Sequence, residues 1–224
     1  MHVRSSPTDI PWKMWSHPIY TKVGSSSCAG KPSWERSFPR STHLAEFADL
    51  GHKLFRTTPE TYPIVFVPGD AFDPKHLEVV QPFTAADAPS GPAPDLRSLT
   101  SLNPLRGRVS AIHASSFFHL FGEEKQLYLA RALAGLLSPE PGSMIFGMQI
   151  GVAEKGFTAL GMGGDHRLFC HSPESWVQVW DGLVFEKGAV VVQAKLVQVE
   201  RKHFEGGGAP AQRVSVLVWS VTRS

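Results

Sequence analysis

The strongest constraint in this sequence is the way it ends. Residues 189–201, AVVVQAKLVQVER, and 213–223, RVSVLVWSVTR, are two long runs rich in β-branched side chains, with apolar and polar residues alternating along them. A period of two puts one set of side chains on each face of a strand, and β-branched residues fit that pleated surface. Gly206-Gly207-Gly208 lies between the runs. They are therefore expected to fold back on each other as an antiparallel hairpin, through a connection longer than a tight turn.

Upstream, helix and strand patterns alternate. HLAEFADLGHKLFR (43–56) puts Leu44, Phe47, Leu50, Leu54 and Phe55 at helical spacing, a face that can pack on a sheet. YPIVFVPG (62–69), short and bounded by Pro63 and Pro68, reads as a buried strand. Residues 79–106 are rich in Pro and Ala and read as a loop carrying little core. RVSAIHAS (108–115) is a second strand candidate and SMIFGMQIG (143–151) a third. Between them GEEKQLYLARALAGLLSPEPG reads as a helix. Glu123 and Glu124 suit its positive N-terminal end, Leu127, Ala130, Leu133, Ala134 and Leu137 form its stripe, and Ser138-Pro139 stops it. GFTALGMGGDHRLF (156–169) reads as a glycine-rich loop leading into a helix capped by Ser172, with Pro173 at its first position.

This order predicts an α/β fold: a mostly parallel sheet flanked by helices, closed by the antiparallel hairpin. In such sheets ligands sit beyond the carboxyl ends of the parallel strands. Those ends carry Asp70, then His113, Ala114 and Ser115, then Gln149 and Gly151. The functional expectation requires three strand ends to converge on one crevice. For Asp70 a second reading competes, because an aspartate after a strand often bonds its own turn.

Length and composition bound the function. The 224 residues suffice for one sizeable core, and 42% hydrophobic with 19% charged residues is a globular balance. The net charge of +2, with basic residues scattered, gives no footprint for nucleic acid. Cys28 and Cys170 are the only cysteines, which excludes a disulfide framework and favours a reducing compartment. Prolines interrupt the N-terminal MHVRSSPTDIPWKMWSHP where a signal peptide needs its apolar stretch, and no apolar run is long enough to span a bilayer. A cytoplasmic protein without a membrane span is expected, with residues 1–43 as an atypical, loosely structured segment.

Other constellations have bland readings. In GSSSCAGKP five residues separate the glycines and Pro32 follows Lys31, so it is no phosphate loop, and GMGGDH (161–166) lacks dinucleotide spacing. His166, Cys170 and His171 have no second cluster to complete a metal site. Ser115 and Ser116 near His113 and His119 suggest a nucleophile and a base, but the G-x-S-x-G elbow is absent. Trp176 and Trp180, four apart on one helix face, read as core.

The phrases EFADLGHKLFR, PGDAFDP, LRGRVSAIHASSFFHLFGEEKQLYLARALAGLLSPEPGSMIFGMQIG and LFCHSPESWVQVW together resemble the class I S-adenosylmethionine-dependent methyltransferases. The likeness is to the fungal type that methylates carboxyl groups of terpenoids and meroterpenoids. It covers residues 44–224, most specifically Leu105 to Gly151. The resemblance implies a Rossmann-like seven-stranded sheet ending in a hairpin, S-adenosylmethionine as cofactor, and a small hydrophobic acid as acceptor. It implies that Asp70, following Gly69, accepts from the adenine amine, that the Ala71 amide donates to the ring and that Phe72 packs on its face. His113, Ala114 and Ser115 would line the cofactor at the next strand end.

The chain also departs from that pattern. No glycine-rich turn follows a first strand, and no acid follows a second to hold the ribose; GSSSCAGKPSWERSFPRSTHL stands in their place. A strand-helix-strand unit needs about 30 residues, so the N-terminal unit reads as deleted or replaced. Each lost carboxylate bond to the ribose costs roughly 1.5–3 kcal/mol. A noncatalytic, truncated relative that has lost the cofactor is therefore the alternative. The sequence gives no catalytic residue, no metal site and no oligomeric state.

Overall fold

In a computed structural model the described residues are 50–58, 60–61, 65–159, 167–201 and 212–224. In chain order the regular elements are β1 (Ala111–His113), α1 (Glu123–Leu136), β2 (Met144–Ile150), β3 (Gly156–Ala159), β4 (Arg167–Cys170), α2 (Pro173–Trp180), β5 (Val190–Arg201) and β6 (Gln212–Arg223). Four strands form one sheet in the order β1-β2-β6-β5, and β3 and β4 form a second sheet of two. β1 and β2 run parallel, joined by α1 as the crossover, whereas β2–β6 and β6–β5 are antiparallel.

The expected terminal hairpin is present, with Val190 to Arg201 paired against Arg223 to Gln212. Its glycine connection lies outside the described residues. α1 begins with Glu123 and Glu124 in its first turn, and α2 begins with a capping box in which the Ser172 hydroxyl accepts from the Ser175 amide. Sheet and helices meet in a core that includes Leu129, Leu133, Ile145, Leu217 and Val221.

At the centre of that core Phe118 is fully buried, its ring 5.0 Å from Trp176, 6.2 Å from Trp180 and 5.7 Å from Trp219. All three contacts are edge-to-face. Such aromatic pairs add about 0.5–1.5 kcal/mol each beyond area burial. Trp176 and Trp180 are thus core, as their spacing suggested.

Several expectations are corrected. Residues 65–70, the later half of the YPIVFVPG segment, adopt no strand, and the first half lies outside the described residues. Pro68 has no amide to give a ladder, and β1, only three residues long, offers little edge to pair with. The sheet is mixed rather than mostly parallel, with one parallel pair among the described residues. Among the described residues the main core packs on one face of this sheet, the face of Ile145, Leu217 and Val221. Pairing register places Met148, Val218, Val191, Val197 and Val199 on the opposite face, and all five are exposed.

Residues 50–55 are helical, but Leu54 and Phe55 are each 75% exposed, so their apolar face does not pack on the sheet. The glycine-rich loop is bounded by a hairpin the sequence reading missed. Phe157 and Phe169 pair across β3 and β4 with rings 5.4 Å apart. No helix among the described residues is long and apolar enough to cross a membrane. The atypical N-terminal segment, residues 1–43, lies outside the described residues, as do His166 and GMGGDH.

Candidate functional site at the carboxyl end of the parallel pair

The predicted site residues fall into two groups. The first is the turn after Pro68. Asp70 Oδ1 accepts from the Phe72 amide at 2.9 Å, and the Asp70 carbonyl accepts from the Asp73 amide at 3.0 Å. The aspartate therefore bonds its own turn, as the competing reading of this residue proposed. Gly69 is required for packing: a Cβ there would lie 2.0 Å from Nδ1 of His76. His76, which sequence reasoning missed, is buried. Burial lowers its pKa, opposed by the negative charges of Asp70 and Asp73.

Ala71 is buried, and Phe72 is packed against its neighbours. Its ring lies 5.0 Å from Phe121 and 5.7 Å from Tyr128, with the Lys125 ammonium 5.2 Å from its centroid. Burial, then the charges of Asp70, Asp73 and Glu78, raise the Tyr128 pKa. Beside Tyr128, Val79, Glu124, Leu127 and Arg131 complete a shallow groove of about 350 Å³.

The second group is the end of β1. Beyond His113 the chain keeps tracking β2: the Ala114 amide donates to the Phe146 carbonyl, and the Ser116 amide to the Met148 carbonyl at 2.7 Å. Ser116 reaches that bond with φ of 53°, in the left-handed region that non-glycine residues rarely adopt. Gly147 makes the close approach possible, because a Cβ on it would stand 2.4 Å from the Ala114 carbonyl oxygen.

Within this group His113 and Ser115 touch. Ser115 Oγ is 2.7 Å from His113 Nε2 and accepts from the Met148 amide at 3.1 Å. Burial lowers the His113 pKa, and its ring lies 5.2 Å from Phe146. The residue after Ser116 begins an aromatic path, Phe117 to Phe121 at 5.5 Å and Phe121 to Phe72 at 5.0 Å, which ties the two groups together. Of the three expected strand ends, the one at Asp70 is therefore a turn, while those at His113 and Gln149 are strands.

Gln149, at the end of β2, is 2% exposed, and neither of its amide atoms has a hydrogen-bond partner among the described residues. His119 is pushed down to about 4 by burial, and its Nδ1 has no partner among the described residues. His171, also near 4 through burial, lies 2.9 Å from Ser175 Oγ through Nδ1, and the buried Cys170 thiol is pushed up to about 11. Among the described residues no three His, Cys, Asp or Glu side chains are grouped to hold a metal ion.

The chain is 31% identical over 169 residues to O-methyltransferase phiE of Fungal sp. (strain ATCC 74256), a match covering 75% of this chain and 47% of the relative. The chain is similar to fungal methyltransferases. Over 88 residues this methyltransferase-like chain is 33% identical to the Asnovolin E/Chermesin D methyltransferase nvfJ of Aspergillus novofumigatus (strain IBT 16806), covering 39% of this chain and 31% of that one. Methyltransferase adrK of Penicillium rubens (strain ATCC 28089 / DSM 1075 / NRRL 1951 / Wisconsin 54-1255) is 26% identical over 145 residues, 64% of this chain and 43% of the relative. The chain thus spans less than half the length of these curated relatives. No protein-family model matches it. One solved structure, described as "Conversion of a Disulfide Bond into a Thioacetal Group during Echinomycin Biosynthesis", aligns at a TM-score of 0.36 and 12% identity, covering 55% of this chain and 52% of that one; a likeness so loose carries no argument.

Proposed function

We propose that the methyltransferase-like chain serves S-adenosylmethionine-dependent O-methyl transfer to a small hydrophobic acid, in cytoplasmic secondary metabolism of the terpenoid or meroterpenoid kind. The observation that carries this reading is the 31% identity over 169 residues to an O-methyltransferase of fungal origin. The cofactor, when bound, supplies an activated methyl group on a sulfonium. An ionised carboxylate acceptor needs no general base, so orientation and exclusion of water are what the protein must contribute.

For this chain the reading assigns cofactor lining to Gly69, Asp70, Ala71, Phe72, His113, Ala114 and Ser115. The fit is uneven. His113 and Ser115 form a polar pair at the carboxyl end of a parallel strand, the position that α/β sheets use for ligands. The turn fits less well, since Asp70 already accepts from Phe72 and the Phe72 ring already packs against Phe121 and Tyr128.

Those last contacts favour a second reading, in which the chain is a noncatalytic methyltransferase-like protein that no longer binds the cofactor. Isothermal titration with S-adenosylmethionine and S-adenosylhomocysteine separates the two. Saturable binding supports methyl transfer, and no heat at millimolar ligand supports the noncatalytic reading. Asp70→Asn keeps an acceptor for the Phe72 amide but removes the charge. If the carboxylate meets adenine, that variant weakens binding about tenfold, the difference between a charge-assisted and a neutral hydrogen bond; unchanged affinity removes Asp70 from the site.

A further inference from the structure

The Ser115 hydroxyl has a defined place in the hydrogen-bond pattern. Its oxygen accepts from the Met148 amide at 3.1 Å, and His113 Nε2 lies 2.7 Å away. A hydroxyl has one proton to give. Among the described residues that proton has one acceptor, Nε2. If Nε2 carried a proton instead, the Ser115 hydrogen would be left without an acceptor in a half-buried place. The arrangement is built into the strand pair: His113 stands opposite Phe146 in the parallel register, and the Ser116 amide on the Met148 carbonyl holds Ser115 over β2.

We propose that Ser115 is a positioning residue that fixes His113 as the uncharged imidazole protonated at Nδ1, at the carboxyl end of β1 where a cationic sulfonium would otherwise meet a like charge. The proposal deepens the methyl-transfer reading and rests on it for the identity of the cation. A donor given to Nε2 stabilises the neutral ring, and protonation at that nitrogen must break the bond. The Phe146 ring packed against His113 works in the same direction by excluding water. Burial is the cause of the downward shift on His113.

The test uses the full chain labelled with ¹⁵N. Long-range ¹H–¹⁵N correlation on wild type is expected to show His113 protonated at Nδ1. Ser115→Ala is expected to raise its pKa by about 0.5–1 unit, the equivalent of one lost hydrogen bond, and Ser115→Thr to restore it. In titrations across pH, affinity for S-adenosylmethionine falls as His113 is protonated, while S-adenosylhomocysteine, neutral at sulfur, is less affected. In Ser115→Ala that loss begins at higher pH. An Nε2-protonated ring, or a Ser115→Ala variant with unchanged His113 titration, overturns the proposal. If the tautomer and the shift are as expected but neither nucleoside binds, the positioning role stands and the methyl-transfer reading falls.

Discussion

Two buried glutamines make opposite predictions from the same substitution. Gln126 is 1% exposed, and its Nε2 donates to the Phe121 carbonyl at 2.8 Å and the Phe169 carbonyl at 2.9 Å, tying α1 to the aromatic loop and to β4. Gln149 is 2% exposed on the core face of β2, and its amide nitrogen and oxygen are both unpartnered among the described residues. A buried polar group without a partner costs about 1–3 kcal/mol, whereas a satisfied one contributes roughly 0.5–1.5 kcal/mol per bond. Gln149→Leu should therefore stabilise the chain by about 2 kcal/mol, which is roughly 4–8 °C in Tm for a chain of this size. Gln126→Leu should destabilise it by about 1 kcal/mol, since two bonds are lost and two carbonyls give up a donor, a loss partly offset because Oε1 of Gln126 is itself buried without a partner among the described residues. Calorimetry and urea denaturation of both variants, without ligand, measure the contrast. If Gln149→Leu melts below wild type as Gln126→Leu does, the amide has a partner in the folded chain and the reasoning is refuted.

Acid should weaken the fold through His119 and His171. Burial holds both near 4, while an unfolded histidine titrates near 6.5. Between those values the unfolded chain binds more protons, so stability is full above about pH 6.5 and declines toward pH 4, by up to about 3 kcal/mol for each residue. Urea midpoints between pH 7.5 and 4.5 check this, and a flat profile contradicts it. Gly147→Ala places a methyl group against the Ala114 carbonyl, which backbone cannot easily yield, and should cost about 1–3 kcal/mol by denaturation; an unchanged midpoint would mean that the β1 end does not lie over β2.

Local signals made some elements readable. The stripe of α1, the Ser172-Pro173 start of α2 and the long valine-rich strands are determined by periodicity and caps within single segments, and each stands where those signals put it. YPIVFVPG had a strand's composition, but a strand needs a neighbour to pair with, and composition does not report one. The same holds for Phe72, whose partners Phe121 and Tyr128 are about fifty residues away along the chain. The β3–β4 hairpin was obscured by its glycines, although Phe157 and Phe169 offered an aromatic cross-strand pair. The His113–Ser115 contact was the most legible part of the site, because residues two apart in extended chain share a face. What Asp70 does was open in the sequence for a physical reason: one carboxylate can serve its own turn or a ligand, and residue type does not distinguish them.

The central claim, that a cofactor rests on the carboxyl end of the β1–β2 pair, is tested most directly by photocrosslinking. The full chain is irradiated with S-adenosylmethionine labelled in its methyl group, and the labelled peptide is identified by mass spectrometry, with excess S-adenosylhomocysteine as competitor. The account predicts competable label within residues 111–121. Label that resists competition, or that lies only on peptides remote from both this stretch and residues 69–72, contradicts it.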